Sequence, residues 1–164
     1  MATLDELLES KRIEEVDDVN APDARKKRQL YIMVPEASDD IARMIGQHFA
    51  TWNTSIAIEE QVIGLFHDYL SGKCLHHPED FHVLREMEDG IWELKTDDVR
   101  VFGWFISKDE FVIATAAYAD LAKDGKYASF ISTAKFRRRA LALNNGTFVK
   151  GEEPSNVISN FRTT

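Results

Sequence analysis

The fold is decided by residues 90–139, which read GIWELKTDDVRVFGWFISKDEFVIATAAYADLAKDGKYASFISTAKFRRR. Three stretches of this segment, 91–95, 99–107 and 110–118, are rich in the β-branched and aromatic residues that strands prefer. Short polar turns separate these stretches. The pattern therefore predicts a meander of three antiparallel strands. Apolar residues at helical spacing then predict a helix over 127–143.

One strand and two helices are predicted before this segment. The apolar run at 29–35 is typical of a strand, and helical periodicity indicates helices over 39–50, capped by Ser38, and over 56–71, stopped by Gly72. The order predicts an α+β fold, with a mostly antiparallel four-stranded sheet, a two-helix hairpin on one face and a C-terminal helix. The candidate buried residues of the meander are Trp92, Leu94, Val101, Phe105, Val112 and Ala114.

The charge of the chain is concentrated at one end. Residues 1–24 contain eight acidic and two basic residues, so they carry −6 of the net charge of −8. With few apolar groups against this charge, residues 1–24 are predicted to be a flexible acidic extension. The folded domain is predicted over 25–146, and 147–164 is predicted to be a flexible tail. A basic surface on the domain is compatible with the acidic total.

The composition points to a cytoplasmic protein without cofactors. The chain has one cysteine, which suits a reducing compartment, and its first residues are polar and acidic rather than typical of a secretory signal. The longest apolar runs are too short to span a membrane. Cys74 and the histidines at 76, 77 and 82 fit no standard zinc spacing, and no phosphate-binding glycine loop is present. We therefore predict neither a metal nor a cofactor.

The sequence of the strands is similar to that of a known family. The motifs that carry this similarity are Leu84 before an acidic turn that ends in glycine, GIWELK at 90–95, RVF at 100–102, FVI at 111–113 and the helix pair at 38–71. Together they resemble the RelE/HigB toxin family, in particular its phage-derived branch, over about residues 29–143.

The resemblance implies a ribosome-dependent mRNA endonuclease that is neutralised by a small helix-turn-helix antitoxin. In this family the 2′-hydroxyl of the mRNA attacks the adjacent phosphate without a metal, which requires cations and a group that moves protons. The candidate catalytic residues are Arg100, Lys95, Tyr118 and Lys123. The candidate RNA-binding residues are Lys126, Arg137, Arg138 and Arg139.

Each candidate also has a structural interpretation. Arg100 can pair with Glu93 across the hairpin, Tyr118 can be buried against the last helix, and the arginines can form a solvated face. After the third strand the family often has His-x-Phe-x-Lys-Lys, whereas this chain has AAYADL at 116–121. The departure supports a second interpretation, in which a phage or prophage protein retains the toxin fold without nuclease activity and binds a host protein or RNA.

Overall fold

The computed structural model describes residues 2–47, 56–84, 90–141 and 148–163. Six strands form one mixed sheet in the order β1-β2-β7-β6-β5-β4, and β3 and β8 form a second, two-stranded sheet. The elements in chain order are α1 (Leu4–Glu9), β1 (Ile13–Glu15), β2 (Gln29–Met33), α2 (Glu36–Gln47), α3 (Ile58–Leu70), β3 (Leu75–His77), β4 (Phe81–Val83), β5 (Trp92–Lys95), β6 (Val99–Ser107), β7 (Glu110–Tyr118), α4 (Ala119–Leu121), α5 (Tyr127–Leu141) and β8 (Phe161–Thr163).

The predicted meander is confirmed. Strand β6 pairs antiparallel with β5 and β7, and β2 joins the same sheet beside β7. All six candidate buried residues have at most 1% of their surface exposed. Gly103 lies where the register of β6 against β7 shifts, and a Cβ atom there would overlap the carbonyl oxygen of Val112. Glycine is therefore required where these two backbones approach most closely.

The predicted sheet of four mostly antiparallel strands is wrong. The sheet has six strands, and β2 runs parallel to β7. Strand β4, which was not among the predicted strands, pairs antiparallel with β5. Strand β1 pairs antiparallel with β2. Both added strands have three residues, which is too short for a periodic pattern to reveal them.

The helices do not form the predicted hairpin on one face. Helix α2 packs against the second half of β7, and Thr115 of this strand donates a hydrogen bond to Asp40 Oδ2 at 2.8 Å. Helix α3 lies on the face of the sheet that carries Phe111, whose ring is 6.4 Å from that of Tyr69. Helix α5 covers the opposite face, where Phe130 stacks on Phe102 with ring centroids 5.3 Å apart.

The ends of the helices also differ in part from the prediction. Helix α2 begins at Glu36, so Ser38 lies inside its first turn, and the Ser38 hydroxyl donates to the carbonyl of Pro35 at 3.1 Å. Ser38 is therefore not the N-cap. Helix α3 ends at Leu70, and Gly72 follows with φ of 79°, as its stop role predicted. The predicted ends at 48–50 and 142–143 lie outside the described residues.

Ordered elements occur in both segments that were predicted to be flexible. Thr3 and Glu6 form a reciprocal capping box at the start of α1. Leu7 and Ile13 are fully buried, and within β1 the side chains of Glu14 and Glu15 are exposed. Near the other end, Val157 and Ile158 are buried. A few well-placed apolar side chains therefore suffice to dock segments whose average composition is polar.

Arg28 connects three parts of the fold. Its side chain is 1% exposed, and its Nε lies 3.5 Å from a carboxylate oxygen of Asp109 in the β6–β7 turn. Its terminal nitrogens donate hydrogen bonds of 2.8 to 3.4 Å to the backbone carbonyls of Asp68, Tyr69, Lys73 and Asn160. Carbonyls near the end of α3 have no partner within the helix, so this guanidinium satisfies groups that burial would otherwise leave unpaired.

Candidate functional site

A cavity of about 770 Å³ lies between β4 and the first turns of α5. Strand β4 contributes His82, the end of β5 contributes Lys95, and α5 contributes Tyr127 and Ile131. The C-terminal segment closes another side through Glu152. The volume of the cavity falls within the range of about 300–1,000 Å³ that is typical of ligand sites, and the cavity lining combines apolar side chains with a few polar groups.

The alternation of β4 and β5 explains why polar groups reach this cavity. Phe81 and Val83 are buried, and His82 between them points to the other face of the sheet. The register places His82 directly opposite Glu93. Glu93 itself lies between two buried residues of β5, on the face that α5 covers.

His82 and Glu93 form a close pair at the cavity wall. His82 Nε2 is 2.6 Å from Glu93 Oε1, and the side chains are 31% and 1% exposed. The other ring nitrogen, Nδ1, lies 2.7 Å from the carbonyl oxygen of Val83. Both nitrogens of His82 are therefore engaged by the protein, and the carboxylate of Glu93 is shielded from solvent.

Five polar side chains lie in or behind the cavity wall, and we call them the inner-wall cluster: His82, Glu93, Lys95, Arg100 and Tyr127. Burial raises the pKa of Glu93, although the charges of Lys95 and Arg100 and a hydrogen bond from Tyr127 act to lower it. Burial also lowers the pKa of Lys95, which the charge of Glu93 opposes, and raises the pKa of Tyr127. The cluster thus holds charges in a poorly solvated place.

Two of the predicted catalytic residues lie together in this cluster. Lys95 and Arg100 are directly opposite in the register of β5 and β6, and Lys95 lines the cavity. Arg100 is only 8% exposed and lies behind the wall. Its Nη1 donates hydrogen bonds to the backbone carbonyls of Thr96, at 2.5 Å, and Val99, at 3.0 Å. Arg100 therefore supports the hairpin. The side chain that lies 2.6 Å from Glu93 is His82, whereas the sequence had suggested Arg100 as the partner of Glu93.

Tyr118, the third predicted catalytic residue, lies away from the cluster. It is opposite Val99 in the register, one position from Arg100, so the two side chains point to different faces of the sheet. Tyr118 is 8% exposed, and its hydroxyl donates to the carbonyl of Met44 at 2.5 Å. The hydrogen bond of Tyr118 therefore links α2 to the end of β7.

The remaining basic candidates are not among the described residues that line the cavity with Lys95. Lys123 and Lys126 are exposed on the π-helical segment Ala122–Lys126. Arg137 contacts Asp40 of α2 at 2.6 Å, the guanidinium of Arg138 lies 3.7 Å from the ring centroid of Phe148, and Arg139 is exposed. Two of the three arginines are thus held by intramolecular contacts.

Sequence reasoning did not identify His82, Glu93 and Tyr127 as candidate site residues. Glu93 gives a signal of the same kind as Arg100, because it is a charged residue inside an apolar strand. His82 gives none until β4 and its register are known. Tyr127 gives none because its position depends on how α5 packs on the sheet.

The described residues, 2–47, 56–84, 90–141 and 148–163, offer neither an arranged metal site nor a membrane-spanning helix. No group of three or more histidine, cysteine, aspartate or glutamate side chains in these ranges is arranged to hold a metal ion. Within the same ranges, no helix is both long and apolar enough to cross a bilayer. When the chain was compared with protein-family models, with curated proteins and with solved structures, none of the three comparisons gave a match.

Proposed function

We propose that the protein binds single-stranded RNA and that the cavity holds one nucleotide of the strand. The observation that carries this proposal is the combination of Lys95 with the flat side chains of His82 and Tyr127 on the wall of one cavity. Unpaired bases stack on aromatic and imidazole rings, and a lysine contacts the phosphate. The volume of about 770 Å³ leaves room for both groups.

The environment of Lys95 favours an anion as its partner. Burial lowers the pKa of Lys95, which means that the charged amine is poorly solvated in the free protein. A phosphate that enters the cavity replaces the lost hydration with a charge-assisted contact. The buried guanidinium of Arg100 adds a second positive charge behind the same wall.

The geometry favours binding over cleavage. In the mRNA endonuclease that the resemblance implies, Arg100 would contact a phosphate, and Tyr118 would stack on a base or share a proton. Arg100 instead donates to two backbone carbonyls, and Tyr118 donates to Met44. His82, one of the two histidines that line the cavity, has both ring nitrogens engaged. The proposal is therefore the second interpretation of the sequence, with RNA rather than a host protein as the partner.

Replacing Lys95 by methionine is expected to weaken binding of a fluorescein-labelled single-stranded RNA hexamer by about tenfold, because one phosphate contact is lost. Methionine keeps the apolar stem of the side chain and so preserves the packing. The salt dependence of binding should also become shallower, by about 0.7 in the log–log slope. Fluorescence anisotropy at several salt concentrations measures both effects.

Lys123→Met is the matched control, because Lys123 is exposed and lies outside the cavity. It is expected to change the affinity by less than about twofold, and the RNA should stay intact in both variants and in the wild type. Equal losses in the two variants would show that binding is a diffuse surface effect and would contradict the proposal. RNA cleavage that Arg100→Ala abolishes would establish the nuclease instead, and no binding at all would favour a host protein as partner.

A further inference from the structure

We propose that a second site, between α2 and α5, binds a small organic molecule that carries a carboxylate or phosphate group. Two pockets of about 520 and 290 Å³ adjoin there, and Thr133 and Arg137 of α5 line both. We call the two pockets the α2–α5 groove, because Asp40 and Arg43 of α2 form its other wall. Ile131, which lines the cavity, is two positions from Thr133, so the groove and the cavity lie on opposite flanks of α5.

Arg137 is held in place with donors to spare. Its Nη1 donates hydrogen bonds to Asp40 Oδ2 at 2.6 Å and to the carbonyl of Ala114 at 2.8 Å. Within the described ranges, its Nε and Nη2 donate no hydrogen bond, and neither nitrogen is sealed from solvent. The guanidinium plane is thus fixed through one nitrogen, and the other two can donate to a ligand.

The carboxylate of Asp40 orients the groups around it. Oδ2 also accepts a hydrogen bond from the Thr115 hydroxyl at 2.8 Å, and Oδ1 accepts one from Arg43 Nη2 at 3.2 Å. Asp40 is 15% exposed, whereas Arg43 is 61% exposed. One shielded carboxylate therefore holds two guanidinium groups side by side and balances the charge of only one of them.

The groove as a whole favours an anion. Among the described residues that line the two pockets, three are arginines and two are acids: Arg12, Arg43, Arg137, Glu36 and Asp40. The net charge of the lining is therefore +1, in a chain whose net charge is −8. A positioned guanidinium binds a carboxylate or a phosphate through two parallel hydrogen bonds, which fixes the orientation of the ligand as well as its charge.

The other side chains of the groove define the body of the ligand. Met44, Leu121 and Phe130 give the smaller pocket an apolar wall, and the Leu121 side chain is 42% exposed. Ser129 and Thr133 add hydroxyl groups. Pockets with an apolar wall and a few convergent polar groups are typical of sites for small molecules. The groove therefore fits a molecule in which an oxyanion is attached to a small apolar body such as one aromatic ring.

The test is an NMR titration of the ¹⁵N-labelled full chain with phenyl phosphate and with benzoate, and benzyl alcohol is the uncharged control. We expect saturable shifts of the Arg137 Nε–Hε signal and of the Thr133 amide, with a dissociation constant of about 1 mM. The Lys95 amide should not move. Tighter binding of one of the two anions identifies phosphate or carboxylate as the group that the site takes.

Three variants test the geometry. Arg43→Gln, at an exposed position, should weaken binding of the tighter anion by about fivefold, and Arg137→Lys, which keeps a charge beside Asp40 but loses the fork, by about tenfold. Arg139→Gln, outside the groove, should change it by less than about twofold. Equal losses in all three variants, equal binding of benzyl alcohol, or the absence of saturable shifts would overturn the inference.

The outcomes also separate the inference from the proposed function, on which it does not rest. Lys95→Met should leave binding of the anion unchanged, because Lys95 lies in the cavity on the other flank of α5. Binding of phenyl phosphate without any binding of the RNA hexamer would contradict only the proposed function. Displacement of the anion by the hexamer would show that the groove takes RNA, and would overturn its assignment to a small molecule.

Discussion

Replacing Arg28 by alanine is expected to lower the free energy of unfolding by about 3–5 kcal/mol, because several backbone carbonyls lose their donor at about 1–3 kcal/mol for each one left buried and unpaired. The carboxylate of Asp109 would lose the charge at 3.5 Å, and buried carbonyls at the end of α3 and at Asn160 would lose their donor. Each unpaired carbonyl adds a desolvation cost, and the vacated space adds a cavity. Urea denaturation monitored by tryptophan fluorescence measures the change.

Two variants bracket this prediction. Arg28→Lys keeps the charge but loses the planar fork that reaches several carbonyls, so an intermediate loss is expected. Arg139→Ala removes an exposed arginine and should change the stability by less than about 0.5 kcal/mol. A loss below about 1 kcal/mol for Arg28→Ala would mean that the contacts of the guanidinium do not hold α3, the turn and the C-terminal segment together.

Deleting residues 1–15 is expected to lower the free energy of unfolding by more than about 4 kcal/mol, because truncating one buried aliphatic side chain already costs about 2–5 kcal/mol. The deletion removes Leu7 and Ile13, which are 1% and 0% exposed, and the pairing of β1 with β2. It also removes Arg12, whose guanidinium donates to the carbonyl of Ala140 near the end of α5 at 2.8 Å. Thermal and urea denaturation both report the loss.

Point variants in α1 show whether the helix is packed as described. Leu7→Ala should cost about 2 kcal/mol or more, whereas Glu9→Ala, at an exposed position of the same helix, should be nearly neutral. The flexible extension that composition predicts would give the opposite result. In that case the deletion and both point variants would leave the midpoint of unfolding unchanged.

The local pattern of the sequence predicts the part of the fold that is regular and long. The nine-residue strands β6 and β7 and the apolar stripes of α2 and α3 each contain enough residues to show their period. The three-residue strands β1, β4 and β8 do not. The parallel pairing of β2 with β7 joins segments far apart in sequence, so no local pattern indicates it.

The site shows the same division between local and non-local information. The short hairpin turn makes Lys95 and Arg100 neighbours, and this is visible in the sequence. Tyr118 lies one residue out of register with Arg100, and a shift of one residue sends a side chain to the other face of a sheet. His82 enters the site only through the pairing of β4 with β5, and Tyr127 enters only through the packing of α5 on the sheet.

The location of the RNA is the most direct test of the account. Backbone amide chemical shifts of the ¹⁵N-labelled full chain can be followed while the single-stranded RNA hexamer is added. We predict that the largest changes occur at the cavity residues Leu84, Lys95, Tyr127 and Ile131. Changes centred on the exposed basic residues Lys123 and Arg139, with the cavity residues unmoved, would contradict the claim that the cavity binds the nucleotide.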